Sequence, residues 1–527
     1  MRLGSREGLT LAHGSFKMLP RMATAPDEAT FAAASLSESE QRFERWRKTV
    51  GFFLGPAAFA LVWWLPLAGL DVRAHRLAAI VTLVVAWWVT EPIPIPATAL
   101  IGAALMVAVG VTSAQVAFAP FASPTIFLFI GSFIIAEALS LHGLDRRVAA
   151  RLLSMPAVGR SPFRVRFAFG ALTAALSAWM SNTATTAMLL PVALGMLSGR
   201  SAALGGPNTA RGLLLTLAYA ASIGGVATPV GTPPNLIAIG MLHTLSGIEV
   251  DFFRWMVVGI PVSIGMYAVL TVLTRWLYPV SAAAAPRESG SAVHLAEVAR
   301  WGRAQTNCLL AFGLAVALWV TPGVVALGWG ATSDVYRLVS GRLDEGAVAL
   351  LAATLLFVLP VNWRERRFTL GWTDAARIDW GTILLFGGGL ALGHQMFETG
   401  LAAKIGEGLV AVSRADSLWT ITAVMTTVAV LTTEITSNTA ATNMLVPVAV
   451  AIAGAAQVSP APPAMGVALG ASLAYMLPIS TPPNAIVYGT GKVPVTEMIK
   501  CGLLLDLLSI LIVLASLRIL CPILGLA

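Results

Sequence analysis

Charge is scarce in this sequence. Asp, Glu, Lys and Arg make up 11% of its 527 residues, against 57% hydrophobic residues, whereas soluble domains carry about 25% and about 45–50%. A soluble chain of this length would form roughly three or four domains, at about 150 residues each. Its 34 basic and 26 acidic side chains cannot give each of those a solvated surface, and they cluster, leaving long stretches almost free of charge. Nucleic-acid binding, secretion as a soluble protein and a Rossmann-type enzyme are thereby excluded. Cysteine is sparse too. Cys308, Cys501 and Cys521 lie in or beside apolar stretches without CxxC spacing, which supports neither a disulfide framework nor a metal site. The six His are scattered singly. The first 48 residues contain no apolar core of about 7–15 residues followed by small residues, so they do not form a cleavable signal. There is no Gly-x-Ser-Gly with His, no Gly-x-Gly-Asp and no His-Glu-x-x-His, and Gly489-Thr-Gly-Lys492 lacks the spacing of an ATP-binding P-loop. The reading is a protein that is not an enzyme and carries no cofactor.

What is present is a series of long apolar runs. A helix needs about 20 mostly apolar residues to cross a bilayer, and within lipid every backbone N–H and C=O must be paired in its own segment. The sequence therefore predicts an all-α polytopic membrane protein surrounded by lipid. Spans are expected near 50–70, 77–91, 93–112, 121–142, 255–278, 306–327, 346–361, 381–400 and 501–525. Four further apolar segments are interrupted. Those at 163–197 and 418–455 break at Ser181-Asn182-Thr183 and Ser437-Asn438-Thr439; those at 213–246 and 463–491 break at Thr232-Pro233-Pro234-Asn235 and Thr481-Pro482-Pro483-Asn484. With the two Ser-Asn-Thr segments taken as re-entrant hairpins, about eleven transmembrane helices remain, and the two termini fall on opposite sides.

The basic residues test that assignment. With the N-terminus in the cytoplasm, inner segments carry 17 Lys and Arg, including Arg146, Arg147, Arg364, Arg366 and Arg367, while outer segments carry 7, such as Arg73, Arg76 and Lys404. Cytoplasmic loops are enriched in this way, which also accounts for the net charge of +8 without a polyanionic partner. The chain then divides into a polar cytoplasmic tail (1–48), an N-terminal transmembrane half (49–278), a cytoplasmic linker (279–305) and a C-terminal transmembrane half (306–527).

The halves resemble each other. Ser181-Asn-Thr-Ala-Thr-Thr-Ala-Met-Leu-Leu-Pro-Val192 aligns with Ser437-Asn-Thr-Ala-Ala-Thr-Asn-Met-Leu-Val-Pro-Val448 at 9 of 12 positions without a gap. A Thr-Pro-Pro-Asn follows 51 residues after Ser181 and 44 after Ser437. If the first hairpin enters from inside and the second from outside, the repeats have inverted topology, the arrangement in which secondary transporters place a site at the repeat interface. Chemistry agrees. Pro-Pro cannot continue a helix, and backbone freed at membrane depth must line a cavity or be covered by protein. Half-helices starting at such breaks aim free N–H groups at one place, and freed carbonyls with Asn, Ser and Thr oxygens suit a hard cation such as Na+. None of the four motifs contains Lys, Arg or His, so an anion bound there would be balanced by helix ends and co-bound cations. Two related half-sites suit a substrate with two anionic ends, although a single tetrahedral dianion fits the same pseudo-axis.

Paired Ser-Asn-Thr tips with Gly231-Thr-Pro-Pro-Asn and Ser480-Thr-Pro-Pro-Asn loops resemble the divalent anion/sodium symporter family, the sodium-coupled dicarboxylate, citrate and sulfate transporters, over about residues 50–525. The resemblance implies homodimers whose protomers hold a scaffold domain and an elevator-type transport domain, the latter containing both hairpins and both broken helices. Amphipathic stretches at Asp145–Pro156 and Leu401–Arg414 look like the family's linking surface helices. By the same likeness, one Na+ site uses Ser177, Ser181, Asn182 and Gly231, and the other Thr433, Thr436, Asn438 and Ser480. Substrate carboxylates meet Ser181, Asn182, Thr183 and Thr232 in one half, and Ser437, Asn438, Thr439 and Thr481 in the other. Thr232 stands where some bacterial succinate carriers have Ser, adding a methyl to the pocket. The implied function is Na+-coupled uptake of a C4-dicarboxylate such as succinate across a bacterial inner membrane, with sulfate or tricarboxylate symport and sodium-independent exchange as alternatives.

Ionisable residues in apolar segments are functional candidates by default. Here they are Glu91, Glu137, Glu398 and Glu434. Glu434, three residues before Ser437, is read first as a paired structural carboxylate and second as a cation attractor or hairpin lock. Glu91 is expected at a turn, and Gly387-Gly388-Gly389 in close helix packing.

Overall fold

The computed structural model describes residues 38–67, 69–144, 147, 148, 151, 161–198, 206–279, 301–330, 332–413 and 417–527. Most of the surface helix expected at 145–156, of the tail and of the 279–305 linker lies outside the described residues.

α1 (Glu38–Trp64) is followed by α2 (Val72–Thr90). Asp71 sets the start of α2, its carboxylate accepting from the Ala74 N–H at 2.7 Å and so satisfying one of the unpaired donors of a first helical turn. α2 stops at Glu91, which adopts a left-handed conformation with φ 49°, and α3 (Ile95–Ala108) restarts beyond it. This is the turn expected at Thr90-Glu91. After α4 (Ala114–Phe118) and α5 (Pro124–Leu141), the first interrupted segment forms two helices, α6 (Pro162–Ser177) and α7 (Asn182–Ser198). The second forms α8 (Pro207–Gly225) and α9 (Pro233–Ser246), and α10 (Phe252–Leu277) completes the first half.

The second half contains its own pair of helices at a Ser-Asn-Thr tip and its own broken helix. α11 (Arg303–Trp329) leads to α12 (Asp334–Arg342), a short polar helix that the sequence reading did not anticipate; the Ser333 hydroxyl starts it by accepting from the Tyr336 N–H at 3.1 Å. After α13 (Glu345–Val358), the expected inner loop contains an antiparallel pair, β1 (Pro360–Asn362) and β2 (Arg367–Phe368). The turn begins where the Asn362 side chain accepts from the Arg364 N–H at 3.1 Å, a local bond that Asn favours over continuing a helix. Then come α14 (Trp372–Ala375), α15 (Trp380–Glu398), α16 (Leu401–Ser413), the paired helices α17 (Leu418–Thr433) and α18 (Asn438–Ala455), α19 (Ala461–Ser472), α20 (Pro482–Tyr488) and α21 (Val495–Ile523).

Among the described residues, α2, α5, α10, α11, α18 and α21 are long and apolar enough to cross a bilayer, and α3, α7, α13 and α17 are apolar but shorter. Large apolar side chains face outward: Trp64 is 82% exposed, Leu327 76% and Ile523 73%. In water such a surface would drive aggregation; against lipid it is favourable. The protein is an integral, multi-pass membrane protein. Its interior depends on small residues. Gly388 packs on Ala99, Gly387 on the Phe121 ring and Gly389 on the Asn443 carboxamide, so the triple glycine brings α15 close to α3 and α18, as van der Waals association of helices in lipid requires.

Candidate substrate and cation site

Four helices begin at the four motifs. α7 starts at Asn182 and α18 at Asn438, while α9 and α20 start at Pro233 and Pro482. Each Pro-Pro occupies the first two helical positions, where the missing N–H is no loss because that donor has no intrahelical partner. Thr232 (φ −149°, ψ 143°) and Thr481 (φ −143°, ψ 148°) immediately before them are extended. The chain has already left α8 at Val226 and α19 at Leu473, so the breaks lie before the prolines. Each motif Asn ties its break together. Asn235 Nδ2 donates to Gly225 O at 2.9 Å and Thr228 O at 2.7 Å; Asn484 Nδ2 donates to Ala474 O at 3.5 Å and Leu477 O at 3.1 Å. These acceptors lie ten and seven residues upstream in both cases. Packing interlocks the halves, with α9 against α18 and α19, and α20 against α7 and α8.

In the first half, Ser177 at the end of α6 donates its hydroxyl to Asn182 Oδ1 at 2.6 Å, bridging the hairpin tip. A Cβ at Gly225 would meet that same Oδ1 at 2.5 Å, and a Cβ at Gly231 would meet Gly225 O at 2.5 Å and Ala178 O at 2.8 Å. Only glycine leaves room for these oxygens to converge. Thr228 closes the tip on the loop by donating its hydroxyl to Ala178 O.

In the second half, the Thr433 hydroxyl lies 2.6 Å from Asn438 Oδ1 and 2.9 Å from Ala471 O, two acceptors for one hydrogen. Glu434, 3% exposed, binds the break itself. Its Oε1 accepts from the N–H groups of Tyr475 (2.7 Å) and Met476 (3.1 Å), its Oε2 accepts from Leu477 N–H (3.1 Å), and the Ser480 hydroxyl donates to Oε2 as well. Four donors converge on this one carboxyl group. Glu434 is therefore a structural carboxylate whose partners are backbone N–H groups and a hydroxyl, and it locks the hairpin tip to the broken helix.

The residues assigned from the sequence fall into two groups. Ser177, Asn182 and Gly231 are gathered at one locus, and Thr433, Asn438 and Ser480 at another. The Thr436 hydroxyl instead donates to Trp88 O at 3.0 Å. The Thr481 hydroxyl caps α20 by accepting from Asn484 N–H at 3.4 Å, whereas Thr232 makes no such bond. Ser181 is exposed and its hydroxyl accepts only from the Ala184 N–H at 3.5 Å. Thr183, Ser437 and Thr439 are half-buried. Among the described residues, no side-chain hydrogen bond joins the Ser181–Thr183 tip to the Ser437–Thr439 tip. The bridging roles of Asn235 and Asn484 were not foreseen, although both belong to the duplicated motif. Asp506, buried in α21 beside Glu434, was missed as well. It is an acidic residue inside an apolar span, which is the signal that should have marked it.

Paired helices joined at Ser-Asn-Thr tips, interlocked with helices broken before Pro-Pro, define a membrane transport protein. More narrowly, the chain belongs to the family described as the sodium:sulfate symporter transmembrane region, matched over residues 47–526. The sodium-dependent dicarboxylate transporter SdcS of Staphylococcus saprophyticus is 33% identical to it over 484 residues, covering 90% of this chain and 91% of that protein. The protein of the same name from Staphylococcus aureus is 31% identical over 492 residues, again covering 90% and 91%. Among solved structures, the crystal structure of the Alcanivorax borkumensis YdaH transporter aligns with a TM-score of 0.49 at 14% identity, over 92% of this chain and 97% of that one; at that level it bears on neither fold nor function.

Proposed function

We propose that the protein is a secondary active transporter coupling Na+ to uptake of a small divalent anion, a C4-dicarboxylate such as succinate. The observation that carries this reading is the duplicated oxygen cluster. In each half a hydroxyl, an Asn carboxamide oxygen and backbone carbonyls meet at a helix start with no basic side chain in the motif, and in the second half one hydroxyl hydrogen faces two acceptors. Oxygen-rich loci of this kind suit Na+, and helix N-termini beside them suit carboxylates. Ser177, Ser181, Asn182 and Gly231 would hold one Na+, and Thr433, Thr436, Asn438 and Ser480 the other, partly through carbonyls. One carboxylate would meet Ser181, Asn182, Thr183 and Thr232, and the other Ser437, Asn438, Thr439 and Thr481. The sodium-dependent dicarboxylate relatives at 33% and 31% identity favour this substrate class, and the family's description keeps sulfate as the second reading.

The alternating-access step is proposed to be an elevator movement. Its mobile domain would comprise α6–α9 and α17–α20, supported by their interlocked packing. The two halves, 49–278 and 306–527, would be inverted repeats within about eleven spans. The protein would work as a homodimer in a bacterial inner membrane, its N-terminal tail (1–48) and linker (279–305) cytoplasmic and its C-terminus outside.

Uptake of labelled succinate into proteoliposomes, with and without an inward sodium gradient and in competition with citrate and sulfate, tests this directly. Gradient-dependent uptake displaced by dicarboxylates is expected. Uptake indifferent to sodium would replace symport with exchange, and displacement by sulfate but not by dicarboxylates would replace the substrate.

A further inference from the structure

The β1–β2 hairpin takes no part in the proposed transport site. Its tip, residues 363–368, is exposed throughout and carries Arg364, Arg366 and Arg367 against one acid, Glu365, so three positive charges and one negative leave +2. Among the described residues, none of these arginines makes a side-chain hydrogen bond or an ion pair. The acids that follow are already engaged: Asp374 pairs with Arg377 at 3.4 Å, and Asp379 starts α15 by accepting from the Thr382 N–H at 3.0 Å. Arg366 also sits in the left-handed region, with φ 49°, which residues other than Gly, Asn and Asp rarely adopt. No side-chain contact among the described residues offsets that strain.

The tip is displayed from a fixed base. Buried Thr369 closes the hairpin, its N–H and its hydroxyl both donating to Leu359 O, at 3.0 and 2.8 Å. Asn307 of α11 donates to the Thr369 hydroxyl oxygen at 2.7 Å and to Pro360 O at 3.4 Å, and His142 at the end of α5 lies 2.7 Å from Thr369 O. The same end of these helices marks the edge of the bilayer. Val358, the last residue of α13, is 67% exposed, and Leu351 of α13 and Leu310 of α11 also face outward. Just beyond them Trp363 is 70% and Trp372 71% exposed, with Trp301 and Trp380 exposed at the starts of α11 and α15. Exposed tryptophans at the ends of apolar helices belong to the headgroup layer. The three arginines therefore stand in that layer, joined by exposed Arg303 at the start of α11.

We propose that the hairpin binds the headgroup of an anionic phospholipid such as phosphatidylglycerol, with Arg364, Arg366 and Arg367 on its phosphate and Trp363 and Trp372 against the upper part of its acyl chains. The planar donor fork of arginine matches phosphate oxygens, and clustered basic residues at the end of a span attract acidic lipid. A zwitterionic headgroup brings its own positive charge and fits less well. Orienting a chain in the membrane needs positive charge in a loop and nothing more; here the charge sits on a folded, pinned turn between exposed tryptophans. A second copy meeting tip to tip would set like charges together. On the elevator reading, α5, α11, α13 and α15 all lie outside the mobile domain, so the lipid would anchor the part that stays still; the binding itself does not rest on that reading.

The test places the full chain in phosphatidylcholine vesicles containing a photoactivatable phosphatidylglycerol, and maps the labelled peptides by mass spectrometry after illumination. Label should concentrate on residues 358–372, fall when unlabelled phosphatidylglycerol is added, and withstand the same amount of extra phosphatidylcholine or of inorganic phosphate. The triple variant Arg364→Gln, Arg366→Gln, Arg367→Gln should need about tenfold more lipid, or beyond, for equal labelling. Arg337→Gln with Arg342→Gln, which removes two exposed arginines from α12, should leave the labelling of 358–372 unaltered. No label on 358–372, as when a second copy covers the hairpin, overturns the proposal. So does labelling that survives the triple variant or falls equally in both variants, and displacement by inorganic phosphate would assign the arginines to a free anion instead. If the triple variant does not fold, the competition on the wild type decides. Labelling requires no transport, so this proposal and the proposed function can fail separately.

Discussion

At the first motif pair Ala178 follows Ser177 and Gly231 precedes Thr232; at the second, the same two places hold Glu434 and Ser480. Around them the two halves are built alike. Ser177–Asn182 and Thr433–Asn438 are bridged at the same 2.6 Å, and Asn235 and Asn484 reach back to carbonyls at the same two offsets. The difference lies in how tip and loop are joined. The first half uses space: glycines at 225 and 231 let oxygens converge, and one threonine hydroxyl ties the loop to Ala178. The second uses charge, a carboxylate gathering three backbone N–H groups and a hydroxyl. Two similarly bridged tips thus stand in different surroundings, one lined by glycine and one with a buried carboxyl group beside it, and the half with the carboxyl group should attract a cation more strongly.

The largest expected effects come from the element the halves share. Asn182→Ala and Asn438→Ala each remove a proposed cation ligand; the first also leaves the Ser177 hydroxyl without its acceptor, whereas the Thr433 hydroxyl keeps Ala471 O in the second, and each loss is about 1–3 kcal/mol. Sodium-driven uptake should fall by about tenfold or more in both, since ~1.4 kcal/mol is a factor of ten. If only one falls, the halves do not act together. Next is Glu434→Gln, whose amide NH₂ would confront donors that now meet an oxygen. Thermal unfolding should show destabilisation of about 1–3 kcal/mol, and the sodium concentration for half-maximal uptake should rise. An unchanged sodium dependence would remove the electrostatic part of the comparison.

Gly225→Ala is smaller and confined to the first half, because the new Cβ would meet Asn182 Oδ1 at 2.5 Å. The matching second-half position is already Ala474, so Ala474→Gly should leave sodium affinity nearly unaltered while Gly225→Ala weakens it; sodium titrations of the two variants check this. The smallest effect is expected from Thr228→Val, which loses one hydroxyl-to-carbonyl bond, about 1 kcal/mol, read as a modest drop in melting temperature.

Much of this architecture is written in local patterns. The interrupted segments are legible because Pro-Pro cannot sit inside a helix, and the duplicated Ser-Asn-Thr identifies the hairpin tips. The turn at Glu91 and the close packing at Gly387–Gly389 follow from proline and glycine for the same reason. What the sequence leaves hidden depends on contacts between distant segments. The reach of Glu434 to residues 475–480, the Thr436 bond to Trp88 and the approach of Asp506 to Glu434 all join segments about 40 residues apart or more. The break positions shifted for a physical reason as well: proline is tolerated at a helix start, so the chain unwinds upstream of Pro-Pro and uses it to begin the next half-helix. α12 and the β1–β2 pair escaped notice because each rests on a single side-chain cap in a polar stretch.

The central claim is that two half-sites without a basic side chain bind a dianion only together with sodium. Calorimetric titration of succinate into the purified protein, in sodium and in choline, tests it most directly on wild type, Asn182→Ala and Asn438→Ala. The account predicts heat of binding for the wild type in sodium, none in choline, and loss of the sodium-dependent signal in both variants. Equal succinate affinity in sodium and in choline would contradict it.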